Sequence, residues 1–393
     1  MATGGTMKVI YLDNCATTRV DDEVLDAMLP YLKEDFGNPS SPHVLGKRAR
    51  RAVGQATESV AELLGADAES IVLTSGATES NNIALLGMFA HDDRAPVNAL
   101  FCPTDHKSSL SVGRALRHRG IETRTMGVRP DGLVDLGHVA DRLDFHSRVA
   151  TIAWVNSEIG TIQPVSELAT LCHDVGCLLH VDAAQAAGRL RIDVTEAAMD
   201  TLAISGHKLH GPKGVGALYV RPEIRRRLRP TTFGGGQFEL RSGTIPTHLV
   251  VGLGKACELA RRRLDSGWKR VTQLRATALD LIATRLPGVR VNGDPHAGVP
   301  HILNLVLPGV RGESLVASLH SVALSTGSAC NSASQEPSYV LTAIGVSAED
   351  ANSSIRICLD PAMGFEDLVR GIEMVCERAQ GLADVVVAMQ GTR

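Results

Sequence analysis

Lys208 sits in the run Ser205-Gly206-His207-Lys208-Leu209-His210-Gly211-Pro212-Lys213-Gly214, behind the apolar stretch Leu202-Ala203-Ile204 and ahead of a glycine-rich turn. Desolvation at such a place disfavours the ammonium form and yields a nucleophilic amine. That amine can hold an aldehyde as a Schiff base. Upstream, Asp182 and Gln185 follow the apolar run Leu178-Leu179-His180-Val181. Downstream, Cys330 lies in the small, polar loop Ser325-Thr326-Gly327-Ser328-Ala329-Cys330-Asn331-Ser332-Ala333-Ser334. An exposed loop cysteine near a base is what a reactive thiolate needs, since free cysteine is usually buried. An amine, a carboxylate and a thiol in these settings point to an enzyme that uses pyridoxal phosphate (PLP) and a cysteine nucleophile.

Each of these residues has a plainer reading. Asp182 could cap the following helix; as a cofactor ligand it would pair with the pyridine nitrogen and keep the ring an electron sink. Gln185 could bond the ring's phenolic oxygen. Ser75-Gly76-Ala77-Thr78-Glu79-Ser80 joins a strand to a helix. It is either an ordinary capping turn or an anion site in which Ala77 and Thr78 open the helix toward a phosphate. Ser205 and His207 could complete the phosphate cup. His106 is a solvated loop histidine or a residue stacked on the ring that carries protons. Arg356 is a strand-edge arginine in a surface ion pair or a bidentate clamp on a substrate carboxylate.

The elements that must position them follow from periodicity. Short apolar runs at Ile71–Thr74, Ala99–Cys102, Ala150–Val155 and Leu178–Asp182 read as buried strands. Ser109–Arg119 and Ser166–Val175 carry helical spacing between them. Alternating strands and helices predict a mainly parallel sheet covered on both faces, with ligands beyond the carboxyl ends of its strands. Thr74 onward, His106, Asn156, Asp182 and Lys208 all fall at such ends. A long helical pattern from Val251 to Leu286 leads out of this unit. Strands at Val289–Asn292, His301–Leu307 and Ser354–Leu359, with helices at Gly312–Leu319 and Phe365–Ala383, predict a smaller α+β unit. A strand at Lys8–Leu12 fits either unit. The expected division is a large PLP-binding domain over residues 20–264 and a small domain of residues 1–19 and 265–393 that carries the Cys330 loop.

Bulk properties narrow the function class. The chain has 393 residues, 44% of them hydrophobic, with Lys plus Arg 40 against Asp plus Glu 43. A chain this long calls for two domains. No basic stripe announces direct nucleic-acid binding, and Arg225–Arg227 and Arg261–Arg263 read as solvated helix faces. The eight cysteines are scattered, which argues against a disulfide framework or a zinc site. No signal peptide and no membrane-length apolar segment is expected. These features suit a cytoplasmic protein in a reducing compartment.

Taken together, the motifs resemble the cysteine desulfurases of the class V aminotransferase group. The matching stretches are Tyr11-Leu12-Asp13-Asn14-Cys15-Ala16-Thr17-Thr18, Phe36-Gly37-Asn38-Pro39-Ser40-Ser41, Thr74 to Asn82, His180-Val181-Asp182, Ser205 to Gly214, Arg241-Ser242-Gly243-Thr244 and Ser325 to Tyr339. The resemblance implies PLP fold type I, an α/β architecture whose large domain has a mainly parallel seven-stranded sheet beside a smaller α+β domain. It implies that Lys208 holds PLP and takes the substrate's α-proton, with Asn156 and Ser157 near the cofactor. The carboxylate of L-cysteine is expected on Arg356 and Asn38, and His106 carries protons. Cys330 would take the sulfur as a persulfide, leaving L-alanine. The long Cys330 loop resembles the branch serving iron–sulfur assembly or tRNA thiolation, with a sulfur-acceptor protein as partner. A homodimer is implied, in which Thr244 reaches the partner's phosphate. The chain departs from the family pattern at Ser157, Gln237 and Asp360-Pro361. These departures suggest a specialised branch, such as one for DNA sulfur modification. A selenocysteine lyase, another class V PLP enzyme and a catalytically silent scaffold are the competing readings.

Overall fold

The structure, a computed structural model, describes residues 9–89, 96–326 and 336–390, with side chains to Val385. Its strands are β1 Ile10–Tyr11, β2 Ile71–Thr74, β3 Asn98–Phe101, β4 Glu122–Thr125, β5 Ser147–Ala153 and β6 Leu178–Asp182, then β7 Thr201–Ser205, β8 Gly216–Val220, β9 Arg290–Val291, β10 Ile302–Val306, β11 Val322–Ala323 and β12 Ser354–Cys358. Seven of them form one sheet in the order β2-β8-β7-β6-β5-β3-β4. Only β8 runs antiparallel to its neighbours; every other pairing in this sheet is parallel.

Burial explains the sheet. β2, β3, β6, β7 and β8 are buried at every position, as expected of strands packed on both faces, where apolar runs replace alternation. β4 is the exception. Its sequence Glu-Thr-Arg-Thr carries no apolar signal because this edge of the sheet is exposed, unlike the buried edge at β2. There Arg124 bonds Glu122 at 2.7 Å and Asp144 at 2.7 Å. The strand expected to reach Val155 stops at Ala153, and Val155 forms an isolated bridge to Ile162 instead.

A second, antiparallel sheet has the order β12-β10-β9, and β1 pairs in parallel with β11. Ile10 and Leu12 pack with this second group, in a core that includes Leu303, Leu305, Ile355, Ile357 and Leu368. The helix Thr247–Arg285 runs through both hydrophobic cores. Val250, Leu253 and Ala256 are buried in the core under the large sheet, and Val271, Leu274, Ala278 and Ile282 in the other. The C-terminal helix, expected over Phe365–Ala383, extends to Gln390. The Arg261–Arg263 cluster is solvent-facing yet paired: Arg261 with Glu62, Arg262 with Glu23, and Arg263 with Asp21 and Glu23.

Candidate active site

The carboxyl ends of β2, β5, β6 and β7 open into a cavity of about 560 Å³. Gly76 starts the helix Ala77–Gly87 at φ 148°, a conformation that glycine tolerates best. A Cβ at the facing Gly216 would lie 2.6 Å from the Gly76 Cα. Two glycines therefore let β8 approach this helix start closely. Ala77 and Thr78 line the cavity, as do Ser205 and His207 from the turn after β7. Glu79 accepts the Ser75 backbone N–H and pairs with Arg241 at 3.2 Å. The capping turn and the anion-ready helix start are thus one structure. Burial holds the His207 imidazole down to about 4, helped by Lys208 and Lys213, so the ring is neutral near pH 7.

Lys208 follows β7 by one turn of 3₁₀ helix. Its Nζ donates to the carbonyls of Cys15 and Ala16, the latter at 2.8 Å. The segment bearing those carbonyls is tied down by Thr18, whose backbone N–H donates to His207 O at 3.0 Å. Burial pushes the Lys208 amine below its ordinary value; Cys15 opposes this and Arg189 and Arg356 reinforce it. Cys15 itself is buried, which opposes ionisation. Its hydrogen bond with Cys358 and the charges of Arg189, Arg356 and Lys208 nevertheless bring the thiol to about 6.

Asp182 ends β6 and is 6% exposed. Its Oδ1 accepts from Ala184 N at 2.9 Å and its Oδ2 from Asn81 Nδ2 at 2.7 Å. Both readings of Asp182 therefore hold at once: it bonds the next turn's backbone and it faces the cavity. Asn81 also donates to Ser108 Oγ at 2.8 Å and meets His180 Nε2 at 3.0 Å. Gln185 Nε2 donates to Cys15 O at 2.9 Å, and its Oε1 accepts from Arg189. His106 caps the helix Lys107–His118, its Nδ1 meeting Ser108 Oγ at 2.8 Å, and it lines the cavity.

The far wall comes from the second sheet. Arg356, 3% exposed on β12, donates to Asp13 Oδ1 at 2.8 Å and Ser157 O at 3.0 Å. Beside it Glu158 is buried, which raises its carboxyl above the usual range, and it accepts from Ser338 Oγ at 2.5 Å.

Ala77, Thr78, His106, Ser157, Asp182, Gln185, Ser205, His207, Lys208 and Arg356 therefore share one cavity. Four expected site residues stand apart. Asn156 is buried outside the lining and spends its amide on Thr104 O and the Glu158 and Ile159 N–H groups. Asn38 is exposed and accepts the Ser40 N–H at 2.9 Å. Thr244 is exposed and not part of the lining within one chain. Cys330 lies outside the described residues. The seven other cysteines are all buried.

The departures from the family pattern have visible uses. The Gln237 amide spans both backbone groups of Leu73, accepting from its N at 2.6 Å and donating to its O at 3.0 Å. Asp360 pairs with His210 at 2.9 Å. Asp13, Asn81, Glu158 and the Cys15 and Ala16 carbonyls were not singled out from the sequence as site groups. Asn81 carried one signal, a polar residue inside a helix that packs on buried strands.

These residues fit PLP. Among the described residues Asp182 is a buried carboxylate with no cationic side chain paired to it, and Lys208 a half-buried amine with no carboxylate. Two such groups across one cavity suit a ligand with a protonated ring nitrogen at one end and an aldehyde at the other. The helix start at Ala77 and Thr78 suits its phosphate.

The aminotransferase class-V profile matches residues 10–370. A mitochondrial cysteine desulfurase from Drosophila melanogaster is 48% identical over 349 residues, covering 88% of this chain and 76% of that protein. A solved NifS-like protein superposes with a TM-score of 0.88 at 31% identity, over 94% of this chain and 98% of that one. A structure described as SspA in complex with cysteine superposes at 0.80 and 34% identity, over 89% and 99%. The architecture is the fold type I of PLP-dependent enzymes. The chain belongs to the aminotransferase class-V family, among its cysteine desulfurases.

Proposed function

We propose that this cavity converts L-cysteine to L-alanine and passes the sulfur to Cys330. The chain is a PLP-dependent cysteine desulfurase, and the proposal concerns which residues do the work. The observation that carries it is the convergence of a half-buried amine, a buried carboxylate with no cationic partner and a buried arginine on one cavity.

When bound, PLP supplies an electron-withdrawing ring that weakens bonds at the substrate's α- and β-carbons. Asp182, held by Asn81 and Ala184, keeps the ring nitrogen protonated. Arg356, braced by Asp13 and the Ser157 carbonyl, takes the substrate carboxylate, with Asn38 as a second contact. Lys208 holds the cofactor and then moves the α-proton, which its lowered basicity suits. Ala77, Thr78, Ser205 and His207 hold the phosphate, and Gln185 and Ser157 frame the ring, with Asn156 behind them fixing the turn after β5. His106 delivers the proton that completes L-alanine.

The Cys330 thiolate attacks the substrate sulfur. An S–S bond forms, the C–S bond breaks, and L-cysteine plus the Cys330 thiol become L-alanine plus a Cys330 persulfide. No outside oxidant is needed. An acceptor protein then removes the terminal sulfur, for iron–sulfur assembly, tRNA thiolation or DNA sulfur modification. The working unit is a homodimer in which Thr244 reaches the partner's phosphate, in a reducing compartment such as the cytoplasm. Residues 20–264 serve as the PLP-binding domain, and residues 1–19 with 265–393 as the domain carrying Cys330.

Mass spectrometry of the protein after exposure to L-cysteine tests this. One added sulfur on the Cys330 peptide, absent from Cys330→Ser, is expected. Undiminished sulfide release by Cys330→Ser would reject the nucleophile.

A further inference from the structure

Behind Lys208 lies a second cavity, of about 490 Å³. It is lined by Arg263, Gly267 and Arg270 of the helix Thr247–Arg285 and by Leu359–Ala362. Two charged side chains sit deep in it. Arg189 is 8% exposed. It donates to Gln185 O at 3.5 Å and to Gln185 Oε1, and lies 3.8 Å from Cys15 Sγ. Among the described residues no carboxylate pairs with it. Asp360 is 9% exposed and accepts from Ala362 N at 2.8 Å besides its pair with His210.

His301, 6% exposed, lines the same cavity, and its ring Nδ1 has no partner among the described residues. Burial holds this imidazole near 3, with Arg189 pushing down and Asp360 pushing up. The ring is therefore neutral and lies within electrostatic reach of a cation and an anion together. The other rim charges are engaged. Arg263 pairs with Asp21 at 2.6 Å and Glu23 at 2.8 Å. Arg270 stacks 4.2 Å from the Phe365 ring and donates to Met363 O at 3.2 Å. Leu209, Leu259 and Leu359 supply apolar lining.

We propose that this rear cavity binds a zwitterionic amino acid with an apolar side chain, its carboxylate on Arg189 and its ammonium toward Asp360. A simple anion would meet the Asp360 carboxylate, and a simple cation the Arg189 guanidinium. An apolar side chain suits the leucine lining, and the volume lies within the range of ordinary ligand sites. The site is distinct from the front cavity, although Lys208 borders both.

The test uses the holoenzyme after borohydride has reduced the cofactor onto its lysine, so that no amino acid can exchange at the front site. Equilibrium dialysis with isotope-labelled L-leucine is expected to show one saturable site per chain. 4-Methylpentanoate, which lacks the ammonium, should bind about 10-fold more weakly or worse, as should L-leucine to Asp360→Asn. Gly267→Leu provides a second variant that suits a helix. An added Cβ there meets only Pro361, at 3.6 Å, so the longer side chain extends into the cavity and should abolish binding. No saturable binding, unchanged binding by Gly267→Leu, or equal binding of 4-methylpentanoate and inorganic phosphate would overturn the proposal. Turnover plays no part in these readouts, so they stand or fall separately from the assignment of Lys208 and Cys330.

Discussion

The two walls of the front cavity are built differently. The cofactor wall is made of strand ends and the turns that follow them. Asp182 closes β6 and Lys208 follows β7, so one sheet carries both, while Asn81 and the Cys15 and Ala16 carbonyls hold their side chains. The substrate wall is assembled across the chain: Arg356 on β12 bonds Asp13, 343 residues away in sequence, and the carbonyl of Ser157. The first wall takes its backbone from the strand ends of one sheet. The second exists only when β12, the N-terminal segment and the turn after β5 meet. Changes in the first should therefore alter the chemical step, and changes in the second should alter substrate capture.

The largest expected effect is on the cofactor wall. Lys208→Ala should lower turnover by about 10⁴-fold, because it removes both the cofactor's attachment and the proton carrier. Single-turnover kinetics with added PLP would measure this, and a variant within 10-fold of the parent would break the comparison. On the substrate wall, Arg356→Lys keeps the charge but loses the fork that spans a carboxylate. The expected result is a roughly 10- to 100-fold loss in kcat/KM, mostly through KM. A loss confined to kcat would place Arg356 with the chemical step instead.

Smaller effects sharpen the contrast through stability. Asn81→Ala strips partners from Asp182, Ser108 and His180 in a buried network. The apoprotein should lose about 2 kcal/mol, read by denaturant unfolding. His301 leads into β10 and its imidazole is held near 3 rather than 6.5. The unfolded chain binds this proton below about pH 6.5 and the folded one does not. Stability therefore falls on acidification from 6.5 toward 3, by up to about 1.4 kcal/mol per pH unit from this group. His301→Phe should flatten the curve in that window and leave it unchanged above it; an unaltered slope would show that the ring protonates while the protein is folded.

The same contrast explains what could be read from the sequence. β2, β6 and their following turns announced themselves because a fully buried strand is a short apolar run and its successor turn needs small residues. β4 was missed because an edge strand need not be apolar. Asp182 and Lys208 were visible from neighbours within a few residues. Arg356 was visible only as a candidate, because its partner Asp13 is brought to it by the fold. Asn156 looked like a cofactor contact from its strand-end position, yet its amide is consumed by the Thr104 carbonyl and the turn it caps. Position along a strand predicted neighbourhood, and hydrogen-bond accounting decided the direct contact. The rear cavity had no sequence signal, since Arg189, His301 and Asp360 are linked only in space.

The most direct test of the central claim is to find the amine that carries the cofactor. Lys107, Lys208 and Lys213 all line the front cavity. Borohydride reduction of the PLP-loaded protein, followed by peptide mapping, should find the pyridoxyl group on Lys208 alone. Finding it on Lys107 or Lys213 would contradict the account.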